Sequence, residues 1–184
     1  IEQLLGAGVL ANDVVGNRAP EAPARLVIVT SEAHRSGQPD LDSFGVAATY
    51  GTSGVMAAYG QSKLANIMYG FELQRRLAAR GSSVVSIPCH PGYAATNLQT
   101  AGVGMDGGST MWRWMYKVTN VLLAQSAERG SYPLVLAAAD PDAEPGAYYG
   151  PTSFGGARGA VGKSLVADTA KDEEVARKLW EKTE

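Results

Sequence analysis

A tyrosine and a lysine four positions apart, Tyr59 and Lys63, are the pair of residues with the clearest chemical use in this sequence. They stand at the start of an apolar run with helical periodicity, and residues i and i+4 of a helix share one face. An ammonium group beside a phenol stabilises the phenolate and lowers the phenol's pKa, so that a tyrosine becomes a usable general acid or base. The same spacing is common on ordinary surface helices, so the neighbouring segments must decide its meaning.

Two aliphatic segments flank this helix and predict parallel strands. Residues 25–31 (RLVIVTS) and 83–89 (SVVSIPC) are nearly continuous apolar runs, as in strands that are covered on both faces. With a long helix over about 57–80 between them, they form a βαβ unit. A third strand is expected at about 146–150 as the last of the sheet, and all three strands should be parallel.

The other segments predict further helices and loops. Helical patterns occupy four stretches: 1–15, 109–123, 126–139 and 168–184. A Gly-rich stretch at 155–162 follows the last expected strand. The connection 35–57 is long for a compact domain, and such loops are usually functional or disordered. It is the first candidate for a wall of a substrate pocket.

The order of these features resembles the short-chain dehydrogenase/reductase family, and most closely its retinol-dehydrogenase-like and actinobacterial oxidoreductase branch. That family has a serine at the end of a strand, Tyr-x-x-x-Lys opening a long helix, and Pro-Gly-x-x-x-Thr after the next strand. The matching phrases here are 29–34 (VTSEAH), 58–66 (AYGQSKLAN) and 90–98 (HPGYAATNL). The resemblance implies an α/β fold with a Rossmann-like doubly wound parallel sheet.

The resemblance covers nearly the whole chain, but the chain covers only part of the family's fold. Nothing in it matches the family's Gly-rich strand, turn and helix, so the N-terminal strands are expected to be missing from this chain. Residues 1–184 would then be the C-terminal, catalytic part of one NAD(P)-binding Rossmann-like domain. The family's catalytic asparagine aligns with Gln3, whose longer side chain need not reproduce the same geometry, and misalignment explains this equally well.

The resemblance also implies roles for individual residues. Ser31 would hold the substrate oxygen by a hydrogen bond, Tyr59 would exchange the proton, and Lys63 would stabilise the phenolate and bind the nicotinamide ribose. The cofactor, NAD or NADP, would be bound by Tyr59 and Lys63 together with three residues of the loop after the second strand: Pro91, Gly92 and Thr96. An ordinary turn is the alternative for this loop.

Composition restricts the class of protein and its partners. The chain has an ordinary globular composition, and a net charge of −2 gives no footprint for nucleic acid. No apolar run approaches the ~18 residues of a membrane span, and no signal peptide is recognisable, so a cytoplasmic location is expected. The single cysteine, Cys89, should be a buried thiol. His34 and His90 are too isolated to predict a metal site, and His90 is expected to pack or hydrogen-bond.

These observations predict an NAD(P)-dependent oxidoreductase that interconverts a carbonyl and an alcohol in a small-molecule substrate. Aromatic and methionine residues at 111–116 could cover a hydrophobic substrate, but a packed helix or a homo-oligomer contact is equally open. One alternative is a truncated, non-catalytic remnant or partner-binding module of the same fold. An epimerase of the extended branch, which shares Tyr-x-x-x-Lys, is a weaker alternative. The 184-residue chain by itself is expected to bind nicotinamide cofactor weakly or not at all.

Overall fold

The computed structural model describes residues 23–42, 54–93 and 125–184. Within them, four strands lie in the order β1-β2-β3-β4: β1 (Arg25–Val29), β2 (Val85–Cys89), β3 (Tyr149–Ser153) and β4 (Arg158–Lys163). The α-helices are α1 (Gly54–Ala79), α2 (Ala127–Ala139) and α3 (Glu173–Thr183), and short 3₁₀ helices occupy Glu32–Ser36, Phe154–Gly156 and Asp168–Lys171. The helices expected at 1–15 and 109–123, and residues 43–53 of the long connection, lie outside the described residues.

The first three strands are parallel, as expected. β1 pairs with β2 in a register that places Arg25 opposite Val85 and Val29 opposite Cys89. β2 pairs with β3 through Cys89 and Tyr149. Because carboxyl ends of parallel strands lie at one edge of a sheet, the loops after β1 and β2 are neighbours, which is where ligands bind in open α/β sheets.

The expectation that β3 ends the sheet was wrong. The Gly-rich stretch contains β4, which pairs antiparallel with β3 and places Lys163 opposite Tyr149. The turn between them uses Gly155 (φ 66°) and Gly156 (φ 91°), a backbone region that favours glycine. The strand was hidden because its sequence, RGAVGK, carries two glycines and little apolar alternation.

Helices cover both faces of the sheet, which gives the α/β, Rossmann-like arrangement that was expected. On one face, α2 packs over Ile87, Cys89 and Tyr149. On the other, α1 and α3 enclose two apolar clusters, one of which includes Tyr148 and the other Val84. The near-continuous apolar character of the strands follows from this double covering, because both sets of alternating side chains are buried.

Candidate active site

Ser31 lies just beyond the carboxyl end of β1 and begins the next helix. The ladder between β1 and β2 continues to Thr30, whose N–H donates to the carbonyl of Cys89 (2.8 Å). Ser31 is the N-cap of the 3₁₀ helix at 32–36, and its Oγ accepts a hydrogen bond from the N–H of Ala33 (3.2 Å). Capping uses the oxygen as an acceptor, so the hydroxyl hydrogen can still be donated to a ligand.

Tyr59 and Lys63 lie near the start of α1, one turn apart, and both are half-buried. The Nζ atom of Lys63 is 5.4 Å from the centre of the Tyr59 ring, within the range of a cation–π contact. The structure therefore brings this pair together on one face of the helix.

Hydrogen bonds attach this part of α1 to the end of β1. The hydroxyl of Thr30 donates to the carbonyl of Lys63 (2.7 Å), and the side-chain amide of Asn66 donates to the carbonyl of Val29 (3.2 Å). Ser31 and the Tyr59–Lys63 pair are thus held at the same edge of the sheet. Among the described residues, no hydrogen bond joins the Ser31 hydroxyl to either member of the pair.

A glycine at position 60 allows the two elements to approach closely. A Cβ atom on Gly60 would lie 2.6 Å from Oγ of Ser36 and 3.0 Å from the carbonyl oxygen of Ala33, both in the 3₁₀ helix that Ser31 caps. Any larger residue at position 60 would push the 3₁₀ helix at 32–36, and Ser31 with it, away from α1.

The turn after β2 is firmly held. Gly92 has φ +72°, and a Cβ atom there would lie 2.6 Å from the carbonyl oxygen of Ala157. The side-chain amide of Gln125 donates to the carbonyl of Pro91 (2.6 Å), and the N–H of Tyr93 donates to the carbonyl of Ala157 (2.7 Å). Pro91 and Gly92 therefore form a fixed turn at the carboxyl end of β2. Thr96 and Gln3 lie outside the described residues.

His34, which the sequence placed in the VTSEAH phrase without a specific role, is fully buried. The Nδ1 atom of His34 is 2.8 Å from the carbonyl oxygen of Ser31, and Nε2 accepts a hydrogen bond from the N–H of Ala167 (3.2 Å). An imidazole that accepts at Nε2 and donates at Nδ1 is neutral. Burial lowers the pKa of His34, which agrees with this state.

His90 is also fully buried and is bonded at both ring nitrogens. Its Nδ1 accepts a hydrogen bond from the N–H of Gly92 (3.2 Å), while Nε2 lies 2.9 Å from Oγ of Ser164 and 3.1 Å from Oε1 of Glu32. Burial lowers the pKa of His90 to about 4, so the ring is neutral near neutral pH. The expectation that His90 packs and hydrogen-bonds agrees with these contacts.

Glu32 connects the loops that follow β1, β2 and β4. Its carboxylate pairs with Arg35 (2.8 Å) and accepts a hydrogen bond from the hydroxyl of Ser164 (3.3 Å), in addition to its contact with His90. Burial raises the pKa of Glu32, and the guanidinium of Arg35 opposes that change. Sequence reasoning missed this role, and the only signal was the position of Glu32 directly after Ser31.

Two further features bear on the sequence-based expectations. Cys89 is a buried free thiol, as expected, and burial raises its pKa to about 12, so it stays protonated and unreactive. Among the helices in the described part of the chain, none is both long and apolar enough to cross a membrane.

Comparisons with known proteins agree with the motifs. The chain is 35% identical to human retinol dehydrogenase 13 over 179 residues, which are 96% of this chain and 49% of that protein. It is 33% identical to mouse polyprenol dehydrogenase over 85% of this chain and 42% of that protein. No protein-family profile matches the chain.

A solved structure gives the same result for the fold. The crystal structure of an uncharacterized protein from Mycobacterium paratuberculosis matches with a TM-score of 0.64 and 30% identity, over 89% of this chain and 50% of that one. The chain thus spans about half the length of the relatives that it matches. By sequence and by fold, the chain belongs to the short-chain dehydrogenase/reductase family. It aligns with the C-terminal half of that family's members.

Proposed function

We propose that the chain is the catalytic part of an NAD(P)-dependent oxidoreductase that interconverts an alcohol and a carbonyl. The observation that carries the proposal is the contact between the Lys63 ammonium and the Tyr59 ring, at the edge of the parallel sheet where Ser31 also lies. The dehydrogenase relatives support the same class of reaction.

The described residues fit the nicotinamide end of the cofactor. Lys63 and Tyr59 are half-buried polar groups at the carboxyl edge of the parallel strands, the edge at which nucleotides bind in such sheets. The fixed turn at Pro91 and Gly92 lies at the same edge. In this proposal, Lys63 holds the ribose hydroxyls, with Tyr59, Thr96 and the turn beside the nicotinamide. When bound, the cofactor accepts or supplies the hydride.

Each member of the proposed catalytic set has one task in the proton chemistry. The hydroxyl of Ser31 donates to the substrate oxygen and orients it. In alcohol oxidation the oxygen of Tyr59 takes the hydroxyl proton of the substrate, and in carbonyl reduction the same proton returns to the substrate oxygen. The ammonium of Lys63 stabilises the phenolate that exists between these steps, by a contact the protein provides before substrate binds.

The substrate class comes from the relatives' names. Retinol and polyprenol are both alcohols with a long apolar body, so an apolar primary alcohol, or the corresponding aldehyde, is the first substrate to test.

The test is a spectrophotometric assay of the full-length protein with NAD⁺ or NADP⁺ and a panel of apolar alcohols. Tyr59→Phe removes the transferred proton but keeps the ring, so turnover should fall at least ~10²-fold while cofactor affinity is largely kept. The matched control is Tyr132→Phe, because Tyr132 is an exposed tyrosine on α2 whose hydroxyl donates to the carboxylate of Glu128. Near-parental turnover in Tyr59→Phe would refute the proposed role of the tyrosine.

A further inference from the structure

A directed series of hydrogen bonds runs from the turn after β2 to the residue next to Ser31. The N–H of Gly92 donates to Nδ1 of His90, and Nε2–H of His90 faces the hydroxyl of Ser164 and the carboxylate of Glu32. The hydroxyl of Ser164 donates in turn to Oε1 of Glu32. Every donor meets an acceptor, and the series ends on a charged group, the arrangement in which successive hydrogen bonds strengthen one another.

Only one tautomer of His90 is compatible with these contacts. The N–H of Gly92 has a hydrogen to give and needs an acceptor, so Nδ1 of His90 must be unprotonated and Nε2 must carry the hydrogen. His34 has the opposite requirement, because its Nε2 receives the N–H of Ala167 and its Nδ1 faces a carbonyl. The chain contains two histidines in all, and the structure gives them opposite tautomers.

The series has no access to substrate. His90 is fully buried, and both Ser164 and Glu32 contact the same ring nitrogen, Nε2. A nucleophilic serine triad instead uses opposite ring nitrogens for its hydroxyl and its carboxylate. Gly150 packs directly against the ring, because a Cβ atom at that position would lie 1.8 Å from Nε2 of His90. The ring is therefore a fixed part of the fold. The series therefore acts on the positions of other groups.

We infer that His90 is a positioning residue, which holds the Pro91–Gly92 turn at a fixed place relative to Ser31 by linking the Gly92 N–H to Ser164 and Glu32. Glu32 is covalently next to Ser31, so the two sides of the proposed site are connected through one imidazole. The inference rests on the proposed function only where it assigns the turn to the cofactor.

Two substitutions of His90 distinguish the roles of its two ring nitrogens. In His90→Asn the amide oxygen stands near the place of Nδ1 and can still accept from Gly92, but it cannot reach Ser164. In His90→Gln the side chain reaches Ser164 and Glu32, but no acceptor remains for Gly92. A merely structural histidine would make both variants alike, since both replace a buried ring with a smaller amide.

Amide hydrogen exchange of the full-length protein gives the first readout and needs no cofactor. Exchange at Gly92 should stay slow in His90→Asn and rise about tenfold in His90→Gln, the size expected for one lost hydrogen bond. The KM for the nicotinamide cofactor should rise by about the same factor in His90→Gln only. Ser164→Ala removes the next group in the series and should change exchange at Gly92 less than His90→Gln does. Its control is Ser131→Ala, at an exposed serine on α2.

Nitrogen NMR of the imidazole rings of His90 and His34 gives the second readout. The expected spectrum has His90 protonated at Nε2 and His34 at Nδ1. Finding His90 protonated at Nδ1, or equal exchange at Gly92 in the two His90 variants, would overturn the inference. A parent protein without nicotinamide-dependent turnover would overturn the proposed function instead, and the exchange and NMR results would still decide the role of His90.

Discussion

Two groups of residues at one edge of the sheet differ in how completely their polar atoms are satisfied. Tyr59 and Lys63, which we propose to be catalytic and call the reactive pair, are half-buried, and the Lys63 Nζ lies 5.4 Å from the centre of the Tyr59 ring. The histidine cluster, which we define as Glu32, His34, His90 and Ser164, surrounds two fully buried rings, and each ring nitrogen has a partner within 3.2 Å. The pair that we propose to exchange a proton with substrate stays reachable, whereas both imidazole rings of the cluster have all their nitrogens bonded within the protein.

The comparison also decides against a role that histidine often plays. A histidine near a candidate active site is normally the first candidate for a general base. Here neither ring can take a proton from substrate, because His34 and His90 are buried and their acceptor nitrogens are occupied by backbone N–H groups. Neither histidine therefore competes with Tyr59 for the proton-exchange role that we propose for it.

Gly150→Ala should break the histidine cluster with the largest effect on stability. The added Cβ would lie 1.8 Å from Nε2 of His90, and the ring is held on both sides and cannot move away. Overpacking of this severity should cost about 3 kcal/mol in the free energy of unfolding, measured by urea titration.

Gly81→Ala is the matched control for that substitution. Gly81 has φ +63° but nothing within 4 Å of an added Cβ, so only backbone strain of about 1 kcal/mol should appear. Equal losses in the two variants would mean that the cluster has room to adapt and does not fix the sheet edge.

Acid should destabilise the folded protein through the histidine cluster. The folded-state pKa of His90, about 4, is below its ordinary value of 6.5, so the unfolded chain binds a proton first as the pH falls. Stability is therefore complete above pH 6.5 and declines as the pH falls toward 4, by up to about 3 kcal/mol. Urea titrations at several pH values across this window would measure the slope.

The groups around His90 modify that slope in known directions. The lowered pKa of His34 adds to the loss in acid, whereas the raised pKa of Glu32 opposes it, because the folded protein then gains a proton as the pH falls. His90→Asn removes the main titrating group, so its stability should vary less with pH than that of the parent. An unchanged slope in this variant would contradict the assignment.

Lys63→Ala should damage the reactive pair without damaging the cluster. Turnover should fall by about 10², because the phenolate loses its neighbouring ammonium, and cofactor binding should weaken as well. Part of the alcohol-oxidation rate should return at alkaline pH, where the phenolate forms without help. Lys171→Ala, at an exposed lysine paired with Asp168, is the control. A parallel loss of folding stability in Lys63→Ala would indicate a structural role.

The parts of the fold that depend on local pattern could be predicted from the sequence. The aliphatic runs predicted β1 and β2 to within two residues at each end, and their parallel pairing followed from the long helix between them. Contact between Tyr59 and Lys63 follows from the helical repeat alone. β4 was missed because two glycines removed its alternation.

The histidine cluster could not be predicted because its members come from distant segments. Glu32 and His34 follow β1, His90 follows β2, and Ser164 follows β4, so their contacts exist only after the sheet has formed. No short spacing links the three segments that carry these residues, and Ser164 follows β4, the strand that the sequence pattern did not predict. Tertiary hydrogen bonds of this kind leave little trace in local sequence.

Thr30→Val should give the smallest effect on stability, because Thr30 lies between the reactive pair and the histidine cluster and belongs to neither. Its buried hydroxyl donates to the carbonyl of Lys63 and ties the end of β1 to the helix that carries the reactive pair. Valine keeps the shape and removes this one donor, so the free energy of unfolding should fall by about 1 kcal/mol. Thr30→Ser retains the hydroxyl and should recover most of that loss. If Thr30→Val cost as much as Gly150→Ala, the reactive pair would be held chiefly by this single hydrogen bond, and the histidine cluster would lose its place as the main support of the site.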